Sequence, residues 1–230
     1  MKTIGMLGGM SAESTAHYYR VINEMVRERL GGVHSAQILM YSFDFAMLEE
    51  LQRAGDWQTI GRHLVSAARS LEGAGADFMM ICANTMHVVA PEVESALKVP
   101  LLSIIDPTAD AIRAAHLEKV ALLGTSYTME LGFFQERLAR FGIEAIVPEK
   151  SDRVLCHRII FEELVRGIIT AHSKQTYRGI IDRLVKKGAQ AVILGCTELT
   201  LIITKAESSV PLFDTMMLHA QAAVDLALED

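Results

Sequence analysis

Short apolar runs alternate with longer amphipathic stretches along the whole chain. Each apolar run is bounded by glycine or polar residues, which is typical of buried strands, and the stretches between the runs have the apolar spacing of helices. Strands that alternate with helices indicate parallel sheets built from β-α-β units. The predicted strands are residues 2–7, 37–42, 78–81, 99–104, 120–123, 144–147, 192–195 and 210–213.

Capping residues, glycines and prolines indicate where some of the predicted helices begin and end. Ser11 is an N-cap candidate for the first helix, and Gly31-Gly32 stops it. Pro91 interrupts a later helix near its start. Residues 43–57 are predicted to form a loop and a polar segment. The predicted helices are residues 11–30, 58–73, 86–97, 108–116, 130–141, 152–169, 174–187 and 215–228.

The second half of the chain repeats the first. Residues 75–85 align without a gap over residues 188–198, so that glycine pairs with glycine and one apolar run with another. In this register Cys196 matches Ala83 and not Cys82. Two further pairs support a duplication: 6–11 with 122–127, and 99–102 with 210–213.

The repeat predicts an α/β fold of two pseudo-symmetric half-domains, each with a parallel sheet, that face each other across a cleft. Asp106-Pro107 marks the seam, because the residue before a proline resists the helical conformation and proline suits the first helical position. The first domain is therefore predicted to span residues 1–107 and the second residues 108–214.

Composition and charge exclude several classes of function. The chain has 230 residues, of which 50% are hydrophobic, and its formal net charge of −6 argues against a nucleic-acid partner. The apolar runs are too short to cross a membrane. Three cysteines without framework spacing indicate free thiols and a cytoplasmic protein, and the histidines lack the paired spacing of a metal site.

Cys196 ends the apolar run 192–195 and is followed by the polar pair Thr197-Glu198. Ligands bind at the carboxyl ends of strands in α/β sheets, and a helix that begins after the cysteine would lower the pKa of the thiol. Most cysteines are small buried hydrophobes, but this position favours a catalytic thiol. Cys82 also ends an apolar run. Because side chains alternate along a strand, we expect Cys82 to pack into the core and Ala83 to take the place equivalent to Cys196.

Polar side chains at the ends of the predicted strands could hold a small anion. Asn84-Thr85 and Thr197-Glu198 follow the two central strands, and glycine turns at 8–11 and 124–126 lie at the same sheet edges. Helix capping is the alternative for the asparagine and threonines. Neither turn has the spacing of a nucleotide-binding motif. Arg53 and Arg166 could each bind a carboxylate, although most arginines are solvated.

Four motifs in order carry a family resemblance: Gly8-Gly9-Met10-Ser11, Asn84-Thr85-Met86-His87, Gly124-Thr125 and Gly195-Cys196-Thr197-Glu198. Over nearly the full length, the chain resembles the aspartate/glutamate racemase superfamily, in particular its aspartate/glutamate or broad-specificity amino-acid racemases. The resemblance implies a cofactor-independent active site between two α/β domains, usually in a homodimer. It also implies that the closing helix, 215–230, packs back on the first domain.

The resemblance also implies how the thiols would act. Members of the two-thiol type place one cysteine directly before Asn-Thr and the other in Gly-Cys-Thr-Glu. One thiolate removes the α-proton from one face of the substrate, and the other thiol delivers a proton to the opposite face. Here Ala83 precedes Asn84 and cannot exchange a proton, which leaves Cys196 as the principal acid/base and Cys82 as a weak candidate. The substrate-binding candidates are Met10, Gln52, Arg53, Asn84, Thr85, Thr125, Arg166, Thr197 and Glu198.

The sequence therefore predicts a racemase that interconverts L- and D-amino acids, foremost aspartate and glutamate, without pyridoxal phosphate or metal. Two alternatives stay open. Because Ala83 removes the second thiol, the chain could run one-thiol chemistry, as the arylmalonate decarboxylases of the same superfamily do. It could also be a small-molecule binding protein that has lost catalysis.

Overall fold

The computed structural model describes residues 1–229 and contains two four-stranded parallel sheets with flanking helices. The first sheet has the strands β1 (Ile4–Gly8), β2 (Ile38–Ser42), β3 (Phe78–Ile81) and β4 (Leu101–Leu102), in the order β2-β1-β3-β4. The second has β5 (Lys119–Gly124), β6 (Glu144–Ile146), β7 (Val192–Gly195) and β8 (Leu212–Asp214), in the order β6-β5-β7-β8. The predicted α/β class with parallel sheets is confirmed.

Helices follow most strands. In the first half they are α1 (Ala12–Leu30), α2 (Phe45–Ala54), α3 (Trp57–Gly73) and α4 (Ala90–Ala96). In the second half they are α5 (Ile105–Ala114), α6 (Ser126–Glu130), α7 (Phe133–Ala139), α8 (Lys150–Glu162), α9 (Ala171–Lys186) and α10 (Thr215–Leu228). Three short 3₁₀ segments occupy Thr85–Val89, Leu164–Arg166 and Thr197–Leu201. None of the helices among residues 1–229 combines the length and the hydropathy that a membrane span requires.

The pairing register of the two sheets follows the sequence repeat. Leu7 lies opposite Ile81 in the first sheet, and Leu123 lies opposite Leu194 in the second. The repeat aligns these same residues, Leu7 with Leu123 and Ile81 with Leu194. Because strand order and register both recur, the duplication is confirmed as a structural repeat.

Each sheet packs one face against its own apolar cluster. On β3, Met79 and Ile81 belong to the cluster of the first half, together with residues of α3. On β7, Val192 and Leu194 belong to the cluster of the second half. These four positions also correspond in the repeat, so the same faces of the two sheets are packed in both halves.

Helix ends are where the sequence-based predictions were least accurate. Residues 43–57 contain α2, whose N-cap Asp44 accepts a hydrogen bond from the Ala46 N–H at 3.2 Å and whose C-cap Gly55 is left-handed (φ 71°). The predicted helix 130–141 begins only at Phe133, as α7; the separate short helix α6 precedes it, and Gly132 (φ 79°) adopts a left-handed conformation between the two.

Two further boundaries differ. The predicted helix 152–169 ends at Glu162, and Gly167 (φ 71°) turns the chain beyond it. Residues 85–89 form a 3₁₀ segment, so that α4 begins only at Ala90, with Pro91 in its first turn where proline needs no N–H partner. By contrast, Ser11 caps α1 as predicted, accepting from the Ser14 N–H at 3.2 Å.

Contacts divide the chain into two compact units, Met1–Ile104 with the residues from His219 on, and Ile105–Leu218. The helix α5 begins at Ile105, so that Asp106-Pro107 lies within its first turn. The predicted boundaries set the seam at Asp106-Pro107 and assigned residues 215–230 to the first domain; Asp230 lies outside the described residues.

His219 ties α10 into the first unit. Its Nε2–H donates to the Leu102 carbonyl at 3.0 Å, and the Tyr18 hydroxyl donates to its Nδ1 at 3.1 Å. Burial lowers the pKa of His219 to about 3, so the ring is neutral at physiological pH. The Lys2 N–H also donates to the Ala227 carbonyl at 2.8 Å.

Candidate active site

Cys196 lies at the carboxyl edge of the second sheet. Gly124 and Gly195 are paired at the ends of β5 and β7, so the next residues, Thr125 and Cys196, leave the same edge. The Cys196 side chain packs with Leu194 in the apolar cluster, and 9% of the residue's surface is exposed. The thiol is thus almost withdrawn from water at the edge where α/β proteins bind ligands.

The Cys196 thiol has a carboxylate partner. Its Sγ–H donates to Oε2 of Glu198 at 3.0 Å, and the Thr197 hydroxyl donates to the same oxygen at 2.8 Å. Thr197-Glu198 begins the 3₁₀ segment Thr197–Leu201. Three successive residues therefore form one hydrogen-bonded group in which Glu198 can accept the thiol proton.

The predicted effect of a helix on this thiol is wrong in sign. Burial, and secondarily the negative charge of Glu198, raise the pKa of Cys196 well above its ordinary value. The segment that follows is a short 3₁₀ turn, which is too short to provide the aligned dipole of an α-helix. The resting thiol is consequently protonated.

Ala83 takes the place equivalent to Cys196 in the first sheet. It packs against the apolar cluster of Met79 and Ile81, as Cys196 packs with Val192 and Leu194. The face of the strand and the repeat register therefore agree. No proton can be exchanged at this position, because alanine has no titratable group.

Cys82 lies one residue before Ala83 and is 1% exposed. Its backbone N–H donates to the Leu7 carbonyl at 2.9 Å, which continues the pairing of β1 with β3. Burial raises the pKa of the Cys82 thiol well above its ordinary value. This environment is that of a core thiol held neutral.

His87 fixes the backbone around Ala83. Its Nδ1 lies 2.9 Å from the Ala83 carbonyl, and the Ile104 N–H donates to its Nε2 at 3.0 Å. A carbonyl only accepts and an amide N–H only donates, so the ring is neutral with its proton on Nδ1. From the sequence, His87 could be placed near Asn84, but its hydrogen bond to the Ala83 carbonyl was not predicted. The spacing of four residues between Ala83 and His87 is the only feature of the sequence that indicates it.

The polar candidates of the first unit follow β3. Asn84 is 5% exposed and makes no side-chain cap hydrogen bond, and Thr85 opens the segment Thr85–Val89. In the second unit, Thr125 does cap a helix, accepting from the Thr128 N–H at 3.2 Å. The capping alternative therefore holds for Thr125 and not for Asn84.

Gln52 and Arg53 point in different directions. Gln52 is 4% exposed, and its Nε2 lies 3.6 Å from Sδ of Met86, directly after Asn84-Thr85. The Arg53 side chain is 64% exposed and forms an ion pair with Glu49 at 2.9 Å. Of this pair, only Gln52 lies beside the Asn-Thr segment.

Met10 and Arg166 occupy contrasting environments. Met10 is 7% exposed and belongs to the apolar cluster of the first unit. Arg166 is exposed, but its segment, Leu164–Arg166, packs against Thr197–Leu201. The predicted site residues thus divide between the two units. The second unit contains Thr125, the segment of Arg166, Cys196, Thr197 and Glu198. The first unit contains Met10, Gln52, Ala83, Asn84 and Thr85.

Two further groups, on α8, lie near Thr125 and Cys196. His157 on α8 accepts from the Ser126 N–H at 3.3 Å, and its Nδ1 lies 3.1 Å from the Ser126 hydroxyl. Cys156 packs in the same apolar cluster as Cys196, and burial raises the pKa of Cys156 to about 12. Among residues 1–229, no group of three or more His, Cys, Asp or Glu could hold a metal ion.

Comparison with known proteins decides the family. The model of the Asp/Glu/hydantoin racemase family matches residues 7–223. The chain belongs to the Asp/Glu/hydantoin racemase family. The resemblance of the four motifs is thereby confirmed, and the chain is an enzyme of the isomerase class.

Three proteins that are similar to this racemase align with all or nearly all of its length. A Yersinia pestis protein classed as an Asp/Glu racemase is 50% identical, with a TM-score of 0.94 and full coverage of both chains. An aspartate racemase homologue from Pyrococcus horikoshii OT3 is 37% identical, with a TM-score of 0.86 and full coverage of both chains. The broad specificity amino-acid racemase RacX of Bacillus subtilis (strain 168) is 24% identical over 98% of each chain.

Proposed function

We propose that this racemase inverts the α-carbon of aspartate or glutamate without a cofactor, with Cys196 as the principal proton carrier. The observation that carries the proposal is the hydrogen bond from the Cys196 thiol to the Glu198 carboxylate at 3.0 Å. A relative named as a glutamate racemase and a solved structure described as an aspartate racemase homologue support the substrate class. The proposed enzyme works in the cytoplasm, as its three free thiols indicate, and as a homodimer, as the family resemblance implies.

In the proposed reaction, Glu198 first accepts the thiol proton along this hydrogen bond. The Cys196 thiolate then takes the α-proton of the substrate, and the pair of electrons from the C–H bond stays on the α-carbon as a carbanion. Because the thiol's pKa is raised, the thiolate is a strong base once it is formed. A second proton donor must then protonate the opposite face.

We assign the second proton to water. Ala83 holds the position equivalent to Cys196 and has no proton to give. Cys82 is buried in the core with a raised pKa, so it is the weaker candidate. This water becomes hydroxide when it gives its proton, so in the reverse direction hydroxide removes the α-proton and the Cys196 thiol protonates the opposite face. The two enantiomers have equal free energies in water, so kcat/KM of the proposed enzyme is the same in both directions.

Donors around the substrate carboxylate would stabilise the carbanion. We assign this role to side chains at the carboxyl edges of the two sheets: Asn84, Thr85, Thr125 and Thr197. Arg166 is assigned to the side-chain carboxylate of the substrate, and Gln52 on α2 remains a substrate-binding candidate. Arg53 is already ion-paired with Glu49 and is the weaker candidate.

One-thiol carbon-acid chemistry of the decarboxylase kind is the second candidate. Ala83 favours it, because decarboxylation of a malonate-type substrate leaves a carbanion that a single cysteine can protonate. The protonated resting state of Cys196 suits such a donor.

Chiral chromatography would separate these functions. The purified enzyme is incubated separately with L- and D-aspartate, L- and D-glutamate, a panel of neutral amino acids and an arylmalonate. We expect inversion of aspartate or glutamate from either enantiomer. Turnover of neutral amino acids alone would contradict the substrate class. Release of carbon dioxide from the arylmalonate without any inversion would favour the second candidate.

A further inference from the structure

The segment between α8 and α9 folds back on itself. The Glu163 carbonyl accepts hydrogen bonds from the N–H groups of Arg166, at 3.0 Å, and Ile168, at 2.9 Å. Gly167 permits this turn because it adopts a left-handed conformation (φ 71°). Arg166 is therefore carried on a short loop, residues 164–170, whose two ends lie close together.

The carboxylate of Glu163 links the two ends of this loop by hydrogen bonds. The Ser173 hydroxyl donates to Oε2 of Glu163 at 2.5 Å, and the Thr170 hydroxyl lies 3.3 Å from the same oxygen. Thr170 is the N-cap of α9 and accepts from the Ser173 N–H at 3.0 Å. Glu163 thus joins the end of α8 to the start of α9, where the helix dipole favours a negative charge.

Hydrophobic burial does little to hold the rest of the loop. Val165, Ile168 and Ile169 are 45%, 47% and 48% exposed. Only Leu164, at the start of the loop, is buried, in the apolar cluster that also contains Cys196. The hydrogen bonds of the Glu163 carboxylate with Ser173 and Thr170, called the Glu163 tie below, are therefore the main polar restraint where the loop meets α9.

The loop lies beside the turn that follows Cys196. Leu164–Arg166 packs against Thr197–Leu201, and Leu164 shares the apolar cluster with Leu199. Arg166 is exposed and, within the described chain, forms no ion pair. Its guanidinium is thus available to bind a carboxylate, and the backbone that carries it packs against the segment Thr197–Leu201.

We propose that Glu163 is a positioning residue that holds Arg166 in place for an acidic substrate. The inference rests on the proposed function, which assigns Arg166 to the side-chain carboxylate of the substrate. Glu163 acts through the loop and not on the substrate, because its carboxylate is engaged by Ser173 and Thr170. Loss of the Glu163 tie gives loop 164–170 more conformations and so weakens binding more than it slows proton transfer.

Kinetic analysis of Glu163→Ala tests the proposal, with Glu163→Gln as the conservative variant and Glu162→Ala as the matched control. Glu162 is the exposed neighbouring glutamate. We expect Glu163→Ala to raise KM for aspartate or glutamate about tenfold, the size of one charge-assisted hydrogen bond, with kcat almost unchanged. Glu163→Gln keeps an acceptor for Ser173 and should stay near wild type, as should Glu162→Ala.

Arg166→Ala separates positioning from a purely structural role. If Glu163 acts through Arg166, Glu163→Ala adds no further rise in KM in the Arg166→Ala background. Equal rises in KM in both backgrounds would overturn the inference. So would a fall in melting temperature that leaves KM unchanged.

Hydrogen exchange distinguishes failure of this inference from failure of the proposed function. We expect Glu163→Ala, and to a lesser degree Ser173→Ala, to accelerate exchange of the amides of residues 164–170, whatever the enzyme turns over. Unchanged exchange would overturn the inference and leave the proposed function standing. Faster exchange in an enzyme that acts on no acidic amino acid would overturn the role in substrate binding.

Discussion

At Cys196 two effects on the thiol act in the same direction. Burial disfavours the thiolate, and the nearby Glu198 carboxylate repels it, so both raise the pKa of the thiol. A thiol in such a site does not react by being ionised at rest. In the proposed mechanism it becomes a base only when Glu198 takes its proton, which makes the carboxylate part of the acid/base pair.

Glu198→Gln tests this coupling. The amide oxygen can still accept from the thiol, but the negative charge is lost, so the pKa of Cys196 should fall and the thiolate should form at lower pH. We expect alkylation of Cys196 by iodoacetamide, followed by mass spectrometry as a function of pH, to begin at lower pH than in the wild type. The racemisation rate should fall about 10²-fold, because the proton acceptor is gone.

The other two cysteines are internal controls for this experiment. Cys82 and Cys156 are buried, and their alkylation should stay slow in both proteins. An onset for Cys196 that is unchanged, or shifted to higher pH, would show that the charge of Glu198 does not control the thiol.

The sequence predicted where Cys196 lies in the fold but not its electrostatic state. Its position at a strand end and the matching of Ala83 to it could be read from the apolar pattern and the repeat. The sign of its pKa shift depends on the burial of the thiol and on the rotamer of Glu198, and no residue spacing encodes either.

At the level of elements, the ends of β3 and β7 are equivalent but chemically different. In both sheets the residue at this position packs on the same face, yet it is Ala83 in one and Cys196 in the other. His87 fixes the Ala83 carbonyl, so the backbone that would carry a second thiol is held in place.

Ala83→Cys should therefore add a second proton carrier. We expect racemisation to become faster from both enantiomers, by at least about tenfold, because a thiol replaces water as the acid/base on that side in both directions. Chiral chromatography from each pure enantiomer measures the two initial rates. Ala83→Ser, which adds a similar side chain without an acidic proton of that kind, should leave them almost unchanged. Equal effects of cysteine and serine would contradict the assigned equivalence.

The strands could be predicted far better than the helix ends. Buried parallel strands are continuous apolar runs, so their positions were visible in the sequence. The helix α2 was missed because it is short, although Asp44 and Gly55 have the residue types of its caps. The end of α8 was missed because helical residues continue past Glu162, and the turn at Gly167 and the tertiary bonds of Glu163 end the helix.

For the whole molecule, duplication explains why one sheet topology occurs twice. The strand orders β2-β1-β3-β4 and β6-β5-β7-β8 are the same, and the pairing registers follow the repeat. Inversion at one carbon needs a proton carrier on each side, which a duplicated scaffold is suited to supply. At the equivalent strand ends of this chain, the second half has Cys196 and the first half has Ala83.

The C-terminal helix could not be assigned from the pattern alone. The repeat says nothing about α10, and only the family resemblance indicated where it packs. In the structure, the hydrogen bonds of His219 with Tyr18 and Leu102 join it to the first unit. Such contacts link residues far apart in sequence, so apolar periodicity does not reveal them.

Exchange of the substrate α-proton in heavy water tests the central claim, that Cys196 carries the proton, most directly. Wild type, Cys196→Ala and, as a control, Cys156→Ala are incubated with L- and D-aspartate and with L- and D-glutamate, and the α-proton signal is followed by NMR. We predict that wild type and Cys156→Ala replace the α-proton with deuterium, whereas Cys196→Ala loses at least about 10³-fold in rate. Exchange that persists in Cys196→Ala would contradict the account.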